Sequence, residues 1–233
     1  MTAAPLTVST ELPPFRERLM KIALYYGPIA CSLVPYVTLT EAKADFEVRP
    51  VNLGKRQQMS PEYLKINPKH KVPVLEVDGR LLTENVAIQT WIAHTFPQAK
   101  LLPADPWQEL KAISMLAWCA SGIHPFLTRM NAPARVCDVP GTADSVKKLA
   151  TEALFETFEI ADAMLAGREF FFDHFTAVDA HFFWCFRRAI QFELPLSGFK
   201  NCVAHFERMK GRASFQKVLA YEADVLAGFA KAA

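Results

Sequence analysis

Apolar positions along the chain follow two different periods, a short-strand pattern first and a helical one afterwards. Lys21-Ile-Ala-Leu-Tyr-Tyr26 is a brief apolar and aromatic run stopped by Gly27-Pro28, which predicts a buried strand entering a turn. Residues 29–42 predict a helix. Pro35 fits it only in the first turn, where backbone N–H groups have no intrahelical partner. Cys31 and Ser32 then fall at or just before that helix N-terminus. Residues 46–51 alternate as a second strand and residues 60–65 read as a capped helical turn. Residues 72–77, the Asp78-Gly79 turn and residues 80–82 predict a hairpin. A last helix begins near Glu84-Asn85, carries Val86, Ile88, Trp91, Ile92 and Phe96, and stops at Pro97. The order is β-α-β-α-β-β-α.

Residues 98–106 break all periodicity with two prolines and form the best linker candidate. Everything after them has helical spacing. Residues 145–166 place Val146, Leu149, Ala153, Leu154, Phe158, Ala161 and Leu165 on one face. Thr176, with an acid three positions on, caps a run through Phe186 that is apolar nearly all round and predicts the central buried helix. The expected division is a loosely held leading segment 1–20, an α/β domain 21–97, a linker 98–106 and an all-α domain 107–233.

Charge adds little. The 26 basic and 24 acidic residues leave a formal net charge of +2, too small a field to gather nucleic acid or a membrane surface. Five cysteines, with no CxxC pair and no zinc spacing, argue against a disulfide framework or a metal site and fit a reducing, cytoplasmic compartment. No stretch has the length of a spanning helix, and the first residues lack a signal-peptide pattern. Partners are therefore to be sought in a site.

Three features carry chemistry. Val72-Pro73 opens a strand after loop residues Asn67-Pro-Lys-His70; it reads either as an ordinary edge proline or as a cis turn that leaves the Val72 backbone ready to pair with an extended peptide. Thr83-Glu-Asn85 sits between strand and helix. Its free N–H groups suit a carboxylate and the Glu84 side chain suits an ammonium group, the alternative being a plain cap. Cys31, at a helix N-terminus, is where thiolates are stabilised, although free cysteines are also among the most buried residues. Cys119, Cys185 and Cys202 lie amid apolar helical residues and read as core.

Tyr-x-x-x-x-Cys-Ser (Tyr26 to Ser32), Asn-Pro-Lys-x-x-Val-Pro-Val-Leu (Asn67 to Leu75) and Leu-Leu-Thr-Glu-x-Val-Ala-Ile (Leu81 to Ile88) follow one another on a thioredoxin-like α/β pattern, with an all-helical half behind. The chain thereby resembles the glutathione transferases, most closely their bacterial beta class. The likeness runs from about Lys21 to the C-terminus, densest in the first domain, and the Phe175-Thr-Ala-Val-Asp-Ala180 segment is similar to the family's helix cap. The resemblance implies that Val72, before a cis Pro73, pairs with the cysteinyl unit of glutathione. It implies that Glu84 and the N–H of Asn85 hold the γ-glutamyl end, that Arg56 or Lys55 faces the glycyl carboxylate, and that Cys31 and Ser32 lie beside the sulfur. Tyr26 and Lys71 are counted with the binding residues. Trp118, His124 and Phe126 are expected to line the acceptor cleft from the helical side; His124 reads equally as a helix-terminal residue next to Pro125.

Three positions depart from the class pattern: Asn85 stands where a Ser or Gly is common, His70-Lys71 replaces Gly-Gln, and Ala117 stands where an asparagine is often found. The implied reaction is transfer of the glutathione thiolate to a hydrophobic electrophile by a homodimer, with glutathione as co-substrate and no metal. Two alternatives stay open: thiol–disulfide exchange with Cys31 as nucleophile, and a binding protein that keeps the fold without the chemistry.

Overall fold

The computed structural model describes residues 20–231. Four strands form one sheet in the order β2-β1-β3-β4. Strand β1 (Ile22–Tyr26) lies parallel to β2 (Glu47–Pro50) and antiparallel to β3 (Val74–Val77), which pairs with β4 (Arg80–Thr83). A parallel neighbour needs a crossover, and helix α1 (Leu33–Glu41) supplies it. The β3–β4 turn has positive φ at both Asp78 (48°) and Gly79 (80°), the geometry that matches strand twist in a two-residue hairpin. Helix α1 is shorter than the predicted 29–42 because Ile29 adopts φ 67°, outside the helical region, and Pro35 takes the third helical position.

Helix α2 (Pro61–Ile66) is capped by Ser60 Oγ, which accepts from the Tyr63 N–H at 3.2 Å, and α3 (Asn85–Thr95) follows β4 directly. The predicted linker is no loose strap. Leu101 and Leu102 are buried, the Ala177 N–H donates to the Leu101 carbonyl at 2.8 Å, and α4 (Pro106–Trp118) already begins at its end. A five-residue π-helical turn at 119–123 leads into α5 (His124–Asn131), followed by α6 (Ala143–Met164) and α7 (Ala177–Gln191). Helices α8 (Lys200–Lys210) and α9 (Ala213–Lys231) complete the described chain.

The expected central helix is α7: every residue from Ala177 to Phe186 is buried. Its start is fixed by Asp179, fully buried, whose carboxylate accepts from the Thr176 N–H at 2.8 Å, the Thr176 hydroxyl at 3.0 Å and the Phe171 N–H at 3.1 Å. Cys119, Cys185 and Cys202 are buried as read. One apolar cluster runs without a break from Leu24 of the sheet through α1 and α3 into α7 and Phe215 of α9, so the helical half is packed onto the sheet half. No described helix is long and apolar enough to cross a membrane. The expectation for the leading segment falls on residues 1–19, outside those described.

Candidate active site

Three segments far apart in sequence meet at Cys31. The Cys31 thiol donates to the Val72 carbonyl at 3.6 Å, and the Asn85 amide Nδ2 donates to the Cys31 carbonyl at 3.1 Å. The peptide bond before Pro73 is cis. The β3 ladder begins at Val74, so Val72 stands beyond its last paired residue. The carbonyl of Lys71, one residue earlier, is fixed by two donors, the Tyr63 hydroxyl and the buried Asn67 amide, each at 2.8 Å. Val72 is therefore presented by a braced loop.

Across from it, Glu84 caps α3 with φ 73° and ψ 126°, a left-handed conformation that a non-glycine residue holds only under constraint from its surroundings. The first N–H groups of α3, which have no intrahelical acceptor, follow directly after this turn, and Asn85 at their head reaches the Cys31 loop through its side-chain amide. The Glu84 carboxylate pairs with Lys69, an exposed contact that a ligand ammonium group can replace. Arg56 lies exposed at φ 56° before the short turn Gln57–Met59, and the Lys55 N–H donates to Asn52 Oδ1 at 3.0 Å.

Cys31 is not a preformed thiolate. It is 8% exposed, and burial pushes its thiol up to about 12, outweighing the Lys71 cation and the Asn85 amide that pull the other way. Opposite, His124 opens α5 with its ring edge-on to Trp184 at 4.5 Å. Burial, helped by the Lys71 and Arg188 cations, lowers it to about 4 and keeps the imidazole neutral near pH 7. Trp184 in turn donates its Nε1–H to the Ile29 carbonyl at 3.0 Å, which links His124 to the loop that carries Cys31.

A family description, "Glutathione S-transferase, N-terminal domain", matches residues 20–94. The chain is 32% identical over 203 residues to Glutathione S-transferase GstA of Escherichia coli O157:H7, covering 85% of this chain and 98% of that one. The chain belongs to the glutathione S-transferase family. The solved beta-class glutathione S-transferase of Sphingomonas chungbukensis superposes with a TM-score of 0.76 at 30% identity, covering 86% of this chain and 98% of that structure. A probable maleylacetoacetate isomerase 1 of Drosophila melanogaster is 38% identical over 121 residues, half of this chain and 49% of the fly protein.

Within this transferase two expected site residues point elsewhere. Tyr26 is fully buried and its hydroxyl donates to Glu222 at 3.1 Å, because alternation along β1 turns it toward α9. Tyr26 is a core residue and not part of the binding surface. Ser32, expected beside the glutathione sulfur, is also fully buried; it accepts from the Gly27 N–H at 3.0 Å and donates to the Gly27 carbonyl at 2.9 Å, so its hydroxyl is engaged in bracing the loop. Trp118 is half-buried against Gly122, where an added Cβ would come within 2.5 Å of the indole. Phe126 lies half-buried with the Arg129 guanidinium 4.7 Å over its ring.

Sequence reading missed what the helical half contributes to the Cys31 loop. Trp184 Nε1 donates to the Ile29 carbonyl at 3.0 Å and the Ile29 N–H donates to Glu222 at 2.6 Å. The only local signal was the stop at Gly27-Pro28, which announced a turn without its partners. Among the described residues no group of His, Cys, Asp or Glu is arranged to hold a metal ion.

Proposed function

We infer that this transferase binds glutathione along Val72 and the α3 N-terminus and conjugates its thiolate to hydrophobic electrophiles. The observation that carries the reading is the pair of contacts joining Cys31 to Val72 and to Asn85, which draws three separate motifs into one notch. An extended peptide pairs main chain to main chain with Val72, which stands beyond the end of the β3 ladder. Its γ-glutamyl carboxylate meets the leading N–H groups of α3, and its ammonium group takes Glu84 from Lys69. Arg56 or Lys55 faces the glycyl carboxylate. Trp118, His124 and Phe126 are the acceptor-side residues.

Burial of Cys31 favours conjugation over thiol–disulfide exchange, because a thiol held near 12 stays protonated at neutral pH and is a poor nucleophile. As a neutral S–H it is a donor. Once the cysteinyl N–H of glutathione engages the Val72 carbonyl, the Cys31 S–H turns to the glutathione sulfur and favours its thiolate. The thiol proton passes to solvent, and the thiolate then bonds to the electrophilic carbon. It expels halide from an aryl halide, opens an epoxide to an alkoxide or adds to an enal to give an enolate, and the last two take a proton from solvent. A cytoplasmic two-fold homodimer belongs to the same reading, and sedimentation of the purified protein measures the dimer.

The test is a panel of aryl halides, epoxides and enals with the full-length protein and glutathione. Conjugation by the wild type, retained in part by Cys31→Ser, is expected; no conjugation with any acceptor overturns the reading. Disulfide reduction that is abolished in Cys31→Ser, without conjugation in the wild type, assigns the exchange chemistry instead.

A further inference from the structure

Ile29 is a β-branched residue at φ 67°, a backbone conformation that such side chains rarely adopt. It lies two residues before Cys31, and both of its main-chain polar groups are held from the helical half. Its carbonyl accepts from Trp184 of α7 at 3.0 Å and its N–H donates to Glu222 of α9 at 2.6 Å, across 193 positions of sequence. Glu222 is 3% exposed and satisfied on both oxygens: Oε2 takes the Ile29 N–H and the Tyr26 hydroxyl, and Oε1 takes the Arg187 guanidinium. Replacing a buried ion pair by apolar groups of the same volume is often neutral, so stability alone is a weak reason for the Glu222–Arg187 pair.

We propose that Glu222 is a positioning residue for the reaction, holding the Ile29 amide in its left-handed turn so that the Cys31 thiol is aimed at Val72 and the bound sulfur. The proposal rests on the glutathione-conjugating reading of the notch. Strained backbone persists where its surroundings over-determine it, and here the surroundings are one carboxylate and one indole. Arg187 keeps the carboxylate ionised and oriented. The last helix of the chain thereby acts on the first loop of the sheet half.

Glu222→Gln is nearly isosteric and separates the roles. A carboxamide has one acceptor oxygen. If that oxygen stays on Arg187, an NH₂ group faces the Ile29 N–H and the Tyr26 hydroxyl; if it stays on Ile29, the NH₂ group faces a guanidinium. In the first case the Ile29 contact is lost; in the second it is kept by a neutral oxygen without its Arg187 anchor, so either way the clamp is weakened. The matched control is Glu41→Gln, which cuts another contact of α1 with the start of α9, the Glu41 carboxylate with Arg212 at 3.0 Å, without touching the loop.

Hydrogen exchange by mass spectrometry and iodoacetamide labelling of Cys31 are measured on both full-length variants, with kcat and glutathione affinity alongside. In Glu222→Gln, exchange of the peptide covering residues 27–33 rises about tenfold and Cys31 labels faster. The kcat falls about tenfold while glutathione affinity changes less than about twofold, since Val72, Glu84 and Asn85 are untouched. Glu41→Gln shows none of this at equal loss of Tm. Unchanged loop exchange and labelling in Glu222→Gln, or equal changes in both variants, overturn the proposal. The exchange and labelling arms need no glutathione, so a wild type that fails to bind the tripeptide sinks the conjugation reading while those arms still decide the clamp.

Discussion

Alkylation of Cys31 in the ligand-free protein has a predicted rate and a predicted pH profile. The thiol is pushed from the ordinary value of 9.0 up to about 12, chiefly by burial, which leaves on the order of a thousandfold less thiolate at pH 7.4. The thiolate is the reacting species, but a more basic thiolate is intrinsically more nucleophilic, which recovers about twenty- to thirtyfold. The net expectation is labelling on the order of thirtyfold slower than for an unfolded cysteine peptide, before steric protection slows it further. Iodoacetamide labelling at successive pH values, read on the tryptic peptide that contains Cys31, measures it. The rate should climb without a plateau through pH 10. A plateau with a midpoint below 8.5 would show that the helix terminus wins over burial, and the description of Cys31 as a neutral donor would be wrong.

Other substitutions and conditions have equally definite outcomes. Asn67→Ala removes one of the two donors on the Lys71 carbonyl and should cost about 1–2 kcal/mol of stability by denaturant titration, with weaker glutathione binding by calorimetry. Asp179→Ala leaves the Thr176 and Phe171 donors buried without an acceptor, and a loss of about 3 kcal/mol in the same titration is expected. His181 is fully buried and lowered to about 3 by burial, and His124 to about 4. Both lie below the unfolded value of 6.5, so the unfolded chain binds more protons and stability falls as pH drops from 6.5 toward 4, by up to about 1.4 kcal/mol per pH unit for each histidine. Denaturation midpoints at pH 7, 6, 5 and 4 check the sign.

What could be read from the sequence was local in it. Val72-Pro73, Thr83-Glu-Asn85 and Cys31 each read alone as an edge proline, a cap or a buried thiol as readily as a site, and only their order along one chain singled them out; the hairpin turn at Asp78-Gly79 followed from its own two residues. Helix α7 announced itself through apolar residues on all sides. Tyr26 was misassigned because nearness in sequence to Cys31 says nothing about which sheet face it takes. Ser32 could not be separated from Cys31 for the same reason: one residue along, the side chain turns into the Gly27 loop. Ile29, Trp184 and Glu222 left no local mark, since their contacts span 155 and 193 positions. The state of Cys31 depends on burial by the whole fold, which a motif does not encode.

A groove of about 1120 Å³ between Ala93 and His174, lined by His94, Lys100, Glu109 and Arg168, contains none of the predicted site residues. It offers a direct contrast for locating the ligand. Titrating unlabelled glutathione into the ¹⁵N-labelled full-length protein and following backbone amide shifts tests the central claim. Saturable shifts centred on Cys31, Val72, Asn85 and Val86 are the predicted result. Shifts confined to the groove around His94 and Lys100, or no shifts at millimolar glutathione, would contradict it.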